Sequence, residues 1–154
     1  MEILIADNDV LVEIFDQLYH ANREDFQRVV NILRARYNRI WIPRTVIREF
    51  SITPKRTRLF SRLRRDFPGF FEECPVRVST GEMDLLMSAR SGIHEGEADG
   101  IHQAKKAETL RRYPQGFIFF SRDKSALKRA EEFGIDILDF ESLRASVREA
   151  GIIL

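Results

Sequence analysis

The chain has 154 residues, 44% of them hydrophobic and 32% charged, with a formal net charge of +1 at pH 7. That length suits one domain spanning 1–154 with volume enough for a real core, and the near-neutral charge removes any strong global pull toward nucleic acid, so phosphate binding has to come from local clusters. A single cysteine, Cys74, leaves no internal disulfide framework and no cysteine-based zinc site, while the absence of a run of about 18 apolar residues or of a signal pattern points away from a membrane and toward a reducing cytoplasm.

In chain order, Glu2-Ile3-Leu4-Ile5-Ala6 reads as a short buried strand that ends at two carboxylates, Asp7 and Asp9. Apolar residues at Leu11, Ile14, Phe15 and Leu18 then follow helical spacing, which predicts a helix from about Asp9 to His20. Asn22 caps a second helix, with Asp25 three residues on and Phe26, Val29, Val30 and Leu33 facing inward. Arg39 to Ile42 is a second strand. Pro43 opens a short helix with Val46, Ile47 and Phe50 on its apolar side. Lys55 to Phe67 is a basic amphipathic helix, with Leu59, Phe60, Leu63 and Phe67 on one side and Arg58, Arg62 and Arg65 on another; Lys55, Arg56 and Arg64 bring the cluster to six cations. Pro68-Gly69 breaks it. Val76 to Val78 is expected as a third strand, followed by a helix from Ser79 to about Arg90 and a turn at Ser91-Gly92. A long helix runs from near Gly96 to about Tyr113. Phe117-Ile118-Phe119-Phe120, the most apolar run, predicts a central strand buried on both faces. Asp123 opens the next helix, Gly134 ends it, Ile135 to Leu138 is a fifth strand, and Asp139 caps a last helix.

Five strands separated by helices imply an α/β fold: a parallel five-stranded sheet covered on both faces, three layers α/β/α. With the order 3-2-1-4-5, strands one and four are neighbours and the crossover direction reverses between them. Ligands favour the crevice at such a reversal, outside the carboxyl edge of the strands. Asp7 follows strand one and Asp123 follows strand four, so both belong at that crevice. The helix leading into strand four starts over the same edge with Glu95, Glu97 and Asp99, and Glu49 lies about two turns past it. Carboxylates that face one another need protons or cations to neutralise them, and a hard oxygen-seeking ion, Mg²⁺ or Mn²⁺, is the natural solution. Taken alone, Asp7, Asp9 and Asp123 also read as helix caps, Glu95, Glu97 and Asp99 as complements to a helix dipole, and Glu49 as a solvated partner of Arg48 or Arg44. Glu97 and Asp99 lie about 200° apart on a helix, which favours Asp99. The three histidines lack a metal-ligand spacing, and Trp41 reads as core.

These residues resemble the PIN-domain ribonucleases. Ile3-Leu4-Ile5-Ala6-Asp7-Asn8-Asp9-Val10-Leu11 is similar to the opening of that family, Val46-Ile47-Arg48-Glu49-Phe50 to its second acidic position, and Gly96 to Ala104 to the motif "G-E-A-acid-A-I-x-x-A" of one branch. Phe120-Ser121-Arg122-Asp123-Lys124 is similar to its strand-four "T/S-x-D" signature. The likeness covers the whole chain in order and spacing. It implies a PIN-like fold and a metal-dependent endonuclease acting on RNA, often the toxin of a toxin–antitoxin pair (VapC-like) and often a homodimer. Residue by residue, it implies catalytic roles for Asp7, Glu49, Asp99 and Asp123, metal ligation by Asp7, Asp99, Asp123 and the extra acid Glu97, and accessory roles for Asp9 and Ser121. Asp9 stands where Ser, Thr or Asn is commoner, and Gly100 where Ala is usual. Arg58, Arg62 and Arg65 are solvated surface, or grip RNA phosphate, or pair with acidic groups of an antitoxin protein.

Two alternatives stand beside this reading. A PIN fold can serve as a non-catalytic module binding RNA or protein. A receiver-like signalling domain also begins with acids after strand one, but it needs a phospho-acceptor Asp after strand three, and Ile40 to Leu63 contains no Asp.

Overall fold

Backbone patterning sorts the chain into alternating strands and helices. The structure, a computed structural model, describes residues 1–76, 95–110 and 112–152, the first four of the second stretch as backbone only. Strand β1 (Ile3–Ala6) is followed by a continuous helix, α1, built from Asn8–Val10, a π-helical stretch Leu11–Leu18 and Tyr19–Ala21. Helix α2 (Arg23–Arg36) leads to β2 (Arg39–Ile42), the short helix α3 (Arg44–Phe50), the basic helix α4 (Pro54–Asp66) and β3 (Phe71–Glu73). Helix α5 (Glu95–Leu110) precedes β4 (Phe117–Ser121), α6 (Lys124–Glu132), β5 (Asp136–Asp139) and α7 (Phe140–Glu149).

The five strands form one parallel sheet in the order β3-β2-β1-β4-β5. β1 pairs with β2 on one side, Ile5 opposite Trp41, and with β4 on the other, Ile5 opposite Phe119. Side chains alternate across a strand, and the core divides accordingly. Leu4, Ala6 and Phe120 pack on one face with the α1, α2, α4 and α7 side chains, among them Phe15, Val29, Leu63 and Val147. Ile3, Ile5 and Phe119 pack on the other with Trp41, Ile101, Ala104 and Leu127. Helices therefore cover both faces, and the central strand is sealed: none of Ile3 to Ala6 is more than 1% exposed. The edge strands carry acids, Glu72 and Glu73 on β3 and Asp136 on β5, which discourages edge-to-edge pairing with another chain. Trp41 is core, edge-on to Tyr113, and Cys74 is a buried thiol. Among the described residues no helix is long and apolar enough to cross a membrane.

Helix starts follow local chemistry. Asn22 accepts the Asp25 backbone N–H at 3.1 Å, which closes one orphan donor of the first turn, and its side-chain amide donates to the Asp25 carboxylate. Thr53 accepts the Arg56 N–H, with Pro54 in the first turn, so this pair starts α4; α3 has already ended at Phe50.

The third strand departs from expectation. It lies at Phe71–Glu73, ahead of Val76 to Val78. Gly69, at φ +78°, turns the chain immediately after α4, and Phe71 then packs edge-on to Phe15 with ring centroids 5.0 Å apart. Two glutamates in this strand hide it from pattern reading, and an edge position tolerates them. Val76 is buried outside any strand. Residues 77 and 78, the helix expected from Ser79 to Arg90 and the turn at Ser91-Gly92 lie outside the described residues.

Candidate acidic active site

Parallel pairing of β1 with β4 brings the residues after both strands to one edge of the sheet. The Asp7 backbone N–H donates to the Phe120 carbonyl at 3.0 Å, which extends the ladder one residue past β1. Asp7 is 3% exposed. Its Oδ1 accepts the Asn8 N–H at 2.7 Å and so caps α1; its Oδ2 accepts the Ser121 hydroxyl at 2.9 Å. Ser121 ends β4 and is fully buried. Its Oγ accepts the Asp123 N–H at 3.0 Å and lies 3.4 Å from Asp9 Oδ2. One hydroxyl has one proton to give, and the nearer carboxylate, Asp7, receives it. Asp9 accepts the Arg122 N–H on both oxygens at 3.2 Å, which ties the start of α1 to the loop after β4.

Asp123 caps α6: its Oδ1 accepts the N–H groups of Ser125 and Ala126 at 2.8 and 3.2 Å. The capping role and a role in a site are compatible, since a carboxylate has two oxygens and Asp123 Oδ2 makes no hydrogen bond among the described residues. Asp99, 5% exposed on α5, accepts the Thr45 hydroxyl at 2.9 Å on one oxygen and the Gln103 amide at 3.1 Å on the other. Thr45 and Glu49 are four residues apart on α3, hence on one face of that helix. α3 therefore reaches two of the acids at once: Thr45 bonds Asp99, and the Glu49 charge acts on Asp7.

The electrostatics show which acids are neighbours. Burial pushes the Asp7 carboxyl up to about 7; the negative charges of Asp9 and Glu49 add to this, while the Asn8 N–H and the Ser121 hydroxyl pull it down. Burial likewise raises Asp9, with the Asp123 charge adding and the Arg122 and Val10 N–H groups opposing. The charges thus link in a chain at the crevice between β1 and β4: Glu49 and Asp9 act on Asp7, and Asp123 acts on Asp9. Asp99 is fixed beside them through Thr45. The side chain of Glu97 lies outside the described residues.

A family model described as a PIN like domain matches residues 3–111. The chain belongs to the PIN-like domain family. No curated protein matches it. Among solved structures similar to it is a PilT N-terminus domain protein from the hyperthermophilic archaeon Sulfolobus solfataricus P2, 13% identical over 94% of this chain and 92% of that chain, with a TM-score of 0.44.

The donor chemistry of this PIN-like domain fits a hard divalent cation: every candidate ligand is a carboxylate, and one of them, Asp7, is pushed up to about 7 by burial, with the Asp9 and Glu49 charges adding to the shift. The spacing is more open than a caged site. Among the described residues no three Asp, Glu, His or Cys side chains are gathered tightly enough to hold an ion by themselves. Mg²⁺ accepts that arrangement, since it is usually held by one or two carboxylates and keeps several waters.

Pattern reading passed over two residues that this geometry brings to the site. Gln103 had a signal, its i+4 position from Asp99 on a helix. Thr45 had none, because its bond to Asp99 spans 54 positions of sequence. The basic helix is also clarified. Arg56 is drawn into an ion pair with Asp16 of α1 at 2.9 Å, whereas Lys55, Arg58, Arg62, Arg64 and Arg65 are exposed. Arg65 bonds its neighbour Asp66 at 3.2 Å.

Proposed function

We propose that this PIN-like protein is a Mg²⁺- or Mn²⁺-dependent endoribonuclease that hydrolyses RNA phosphodiester bonds, with 1–154 acting as one domain. The family match supports the nuclease class, and one observation carries the reading to this site: a buried carboxyl, Asp7, held at about pH 7 by burial and by neighbouring acids. The sheet supports a single working unit, since β4, beyond the matched residues, pairs with β1 and carries β5 on its other side.

In this reading Asp7, Asp99 and Asp123, with Glu97, hold the cation. When bound, it supplies an activated water and neutralises charge developing on the phosphate. Ser121 orients Asp7 by its hydroxyl and Asp123 by its oxygen, so a single side chain sets two ligands. Glu49 accepts the proton of the attacking water, and Asp9 steadies the Arg122 loop beside the substrate. Replacing Asp7 or Asp123 by Asn is expected to lower Mg²⁺-dependent RNA cleavage at least about 100-fold with the circular dichroism spectrum unchanged. Full activity in Asp7→Asn would sink the proposal.

The resemblance also supports a finer role, the toxin of a toxin–antitoxin pair working in the cytoplasm as a homodimer. Growth arrest on expression, relieved by a small neighbouring protein, tests the first part; light scattering at micromolar concentration tests the second.

A second reading has an observation of its own. The carboxylates of Asp7, Asp99 and Asp123 all accept protein hydrogen bonds, and no three-ligand cluster forms among the described residues. A non-catalytic RNA- or protein-binding PIN-like module would keep these acids for structure alone. Calorimetric titration separates the two: no heat of binding at millimolar Mg²⁺ or Mn²⁺ selects the binding module.

A further inference from the structure

A groove of about 380 Å³ lies between the end of α1, α2 and the second half of α4, and Arg23, Arg34 and Arg62 open into it. It is distant from the acids. α4 follows α3 and leads into the parallel strand β3, so it runs from the carboxyl side of the sheet to the turn before β3, where Phe70 meets the start of β2 through the Ile40 N–H. Arg62 is nine residues past Thr53, about 14 Å along the helix at 1.5 Å per residue.

The three arginines are held in different ways, and among the described residues none is paired with a carboxylate. The Arg23 guanidinium lies 3.7 Å over the Tyr19 ring, with its Nε bonded to the Tyr19 carbonyl at 3.4 Å. Arg34 covers Phe67 at 5.7 Å from the ring centre. Stacking of this kind fixes the guanidinium plane and leaves its N–H edges outward. Arg62 is exposed and makes no hydrogen bond or ion pair among the described residues. The one carboxylate in the groove, Asp66, is bonded to Arg65 instead. In a chain of net charge +1, this is a local surplus of positive charge in a concave site.

We propose that this groove binds the phosphate backbone of an RNA strand whose other end lies at the acidic edge. Preorganised guanidinium forks match phosphate oxygens, and the basic face of α4 makes the path continuous: Lys55, Arg58 and Arg62 follow each other at helical spacing from the carboxyl edge into the groove. The rings under the arginines are themselves buried, Tyr19 at 5% and Phe67 at 6% exposure, so the groove offers charge to a backbone, with no open platform for bases. The proposal takes only the identity of the polyanion from the ribonuclease reading.

The experiment is fluorescence anisotropy with a labelled 12-nucleotide single-stranded RNA of mixed sequence. The full chain carries Asp7→Asn throughout, so that binding is read whether or not the protein cleaves. Adding Arg34→Gln and Arg62→Gln is expected to weaken Kd at least fivefold and to flatten the plot of log affinity against log salt by about 0.7 for each phosphate contact removed. Arg148→Gln, at an exposed side chain of α7, is expected to change neither. In the cleaving protein the same pair raises KM for the 12-mer and leaves a trinucleotide unaffected. Unchanged affinity and salt slope overturn the proposal, as does loss of binding to a glutamate-rich peptide with RNA binding intact. Thermal unfolding checks the fold; if the double variant unfolds, Arg62→Gln alone, at an exposed side chain that makes no bond among the described residues, gives the same test.

Discussion

The Ser121 hydroxyl donates to the Asp7 carboxylate at 2.9 Å across 114 positions of sequence, and the same oxygen accepts the Asp123 N–H. Two acids from the ends of two adjacent parallel strands are thereby oriented by one small side chain. Ser121→Ala removes a charge-assisted bond from a buried carboxylate. We expect a loss of about 1–3 kcal/mol, larger at pH 8, where Asp7 is ionised, than at pH 5, where it holds its proton. Because the hydroxyl lowers the Asp7 pKa, its removal also moves the Asp7 titration further up. Denaturant unfolding at the two pH values measures the first effect and carboxylate NMR the second.

Asp7 itself makes the cation-free protein less stable as pH rises. Its carboxyl titrates near 3.8 when unperturbed and at about 7 in the fold. Below about pH 4 both states carry the proton; between about pH 4 and 7 the folded state keeps it and the unfolded chain has lost it. Stability therefore falls with rising pH through this window, by at most about 1.4 kcal/mol per unit. Asp9 shifts in the same direction and adds to the slope. Asp7→Asn is expected to raise Tm at pH 8 in EDTA and to converge on the parent protein toward pH 4. Equal melting curves at pH 8 would contradict the burial of charge at this position.

The same linkage couples cation and proton. A divalent ion bound through ionised Asp7 has to expel its proton below about pH 7. Mn²⁺ affinity is expected to drop as pH falls below 7, approaching tenfold per unit, and calorimetry in buffers of different ionisation enthalpy should register proton release. In Asp7→Asn the residual affinity should lose this pH dependence.

Asp99 tests the support behind the site. Thr45→Val or Gln103→Leu leaves a nearly buried carboxylate short of a donor, at a cost of about 1–3 kcal/mol. Asp99→Asn keeps the shape, and should be tolerated in stability while lowering cation affinity. A Thr45→Val protein as stable as its parent would show that Asp99 is held by other contacts.

Gly100 has a steric reason to be glycine. A Cβ there would stand 3.1 Å from Phe119 Cε1 and 3.4 Å from Ile5 Cγ2, both on fully buried side chains. Alanine gains about 1 kcal/mol of helix propensity and meets that crowding. We expect Gly100→Ala to be destabilising in the parent and stabilising in Phe119→Leu, a sign change that a double-mutant cycle reads directly.

The sequence by itself determined the order of elements, the parallel sheet and the edge at which the acids stand. A four-residue apolar run such as Phe117 to Phe120, bounded by turn residues, suits a buried strand, and Asp7 and Asp123 follow their strands whatever the helices do. Near-diagonal contacts were legible for the same reason: Asn22 with Asp25, and Asp123 with the start of α6, act within one turn. Tertiary structure decided the rest. Phe71–Glu73 became the third strand because Phe71 found Phe15, a choice that two glutamates obscured. Thr45 came to hold Asp99, Ser121 to join Asp7, and Arg34 to face Arg62 because packing set distant backbones side by side. Hydrogen bonds and charge act over a few ångströms of space, and spacing along a chain encodes that separation only within an element.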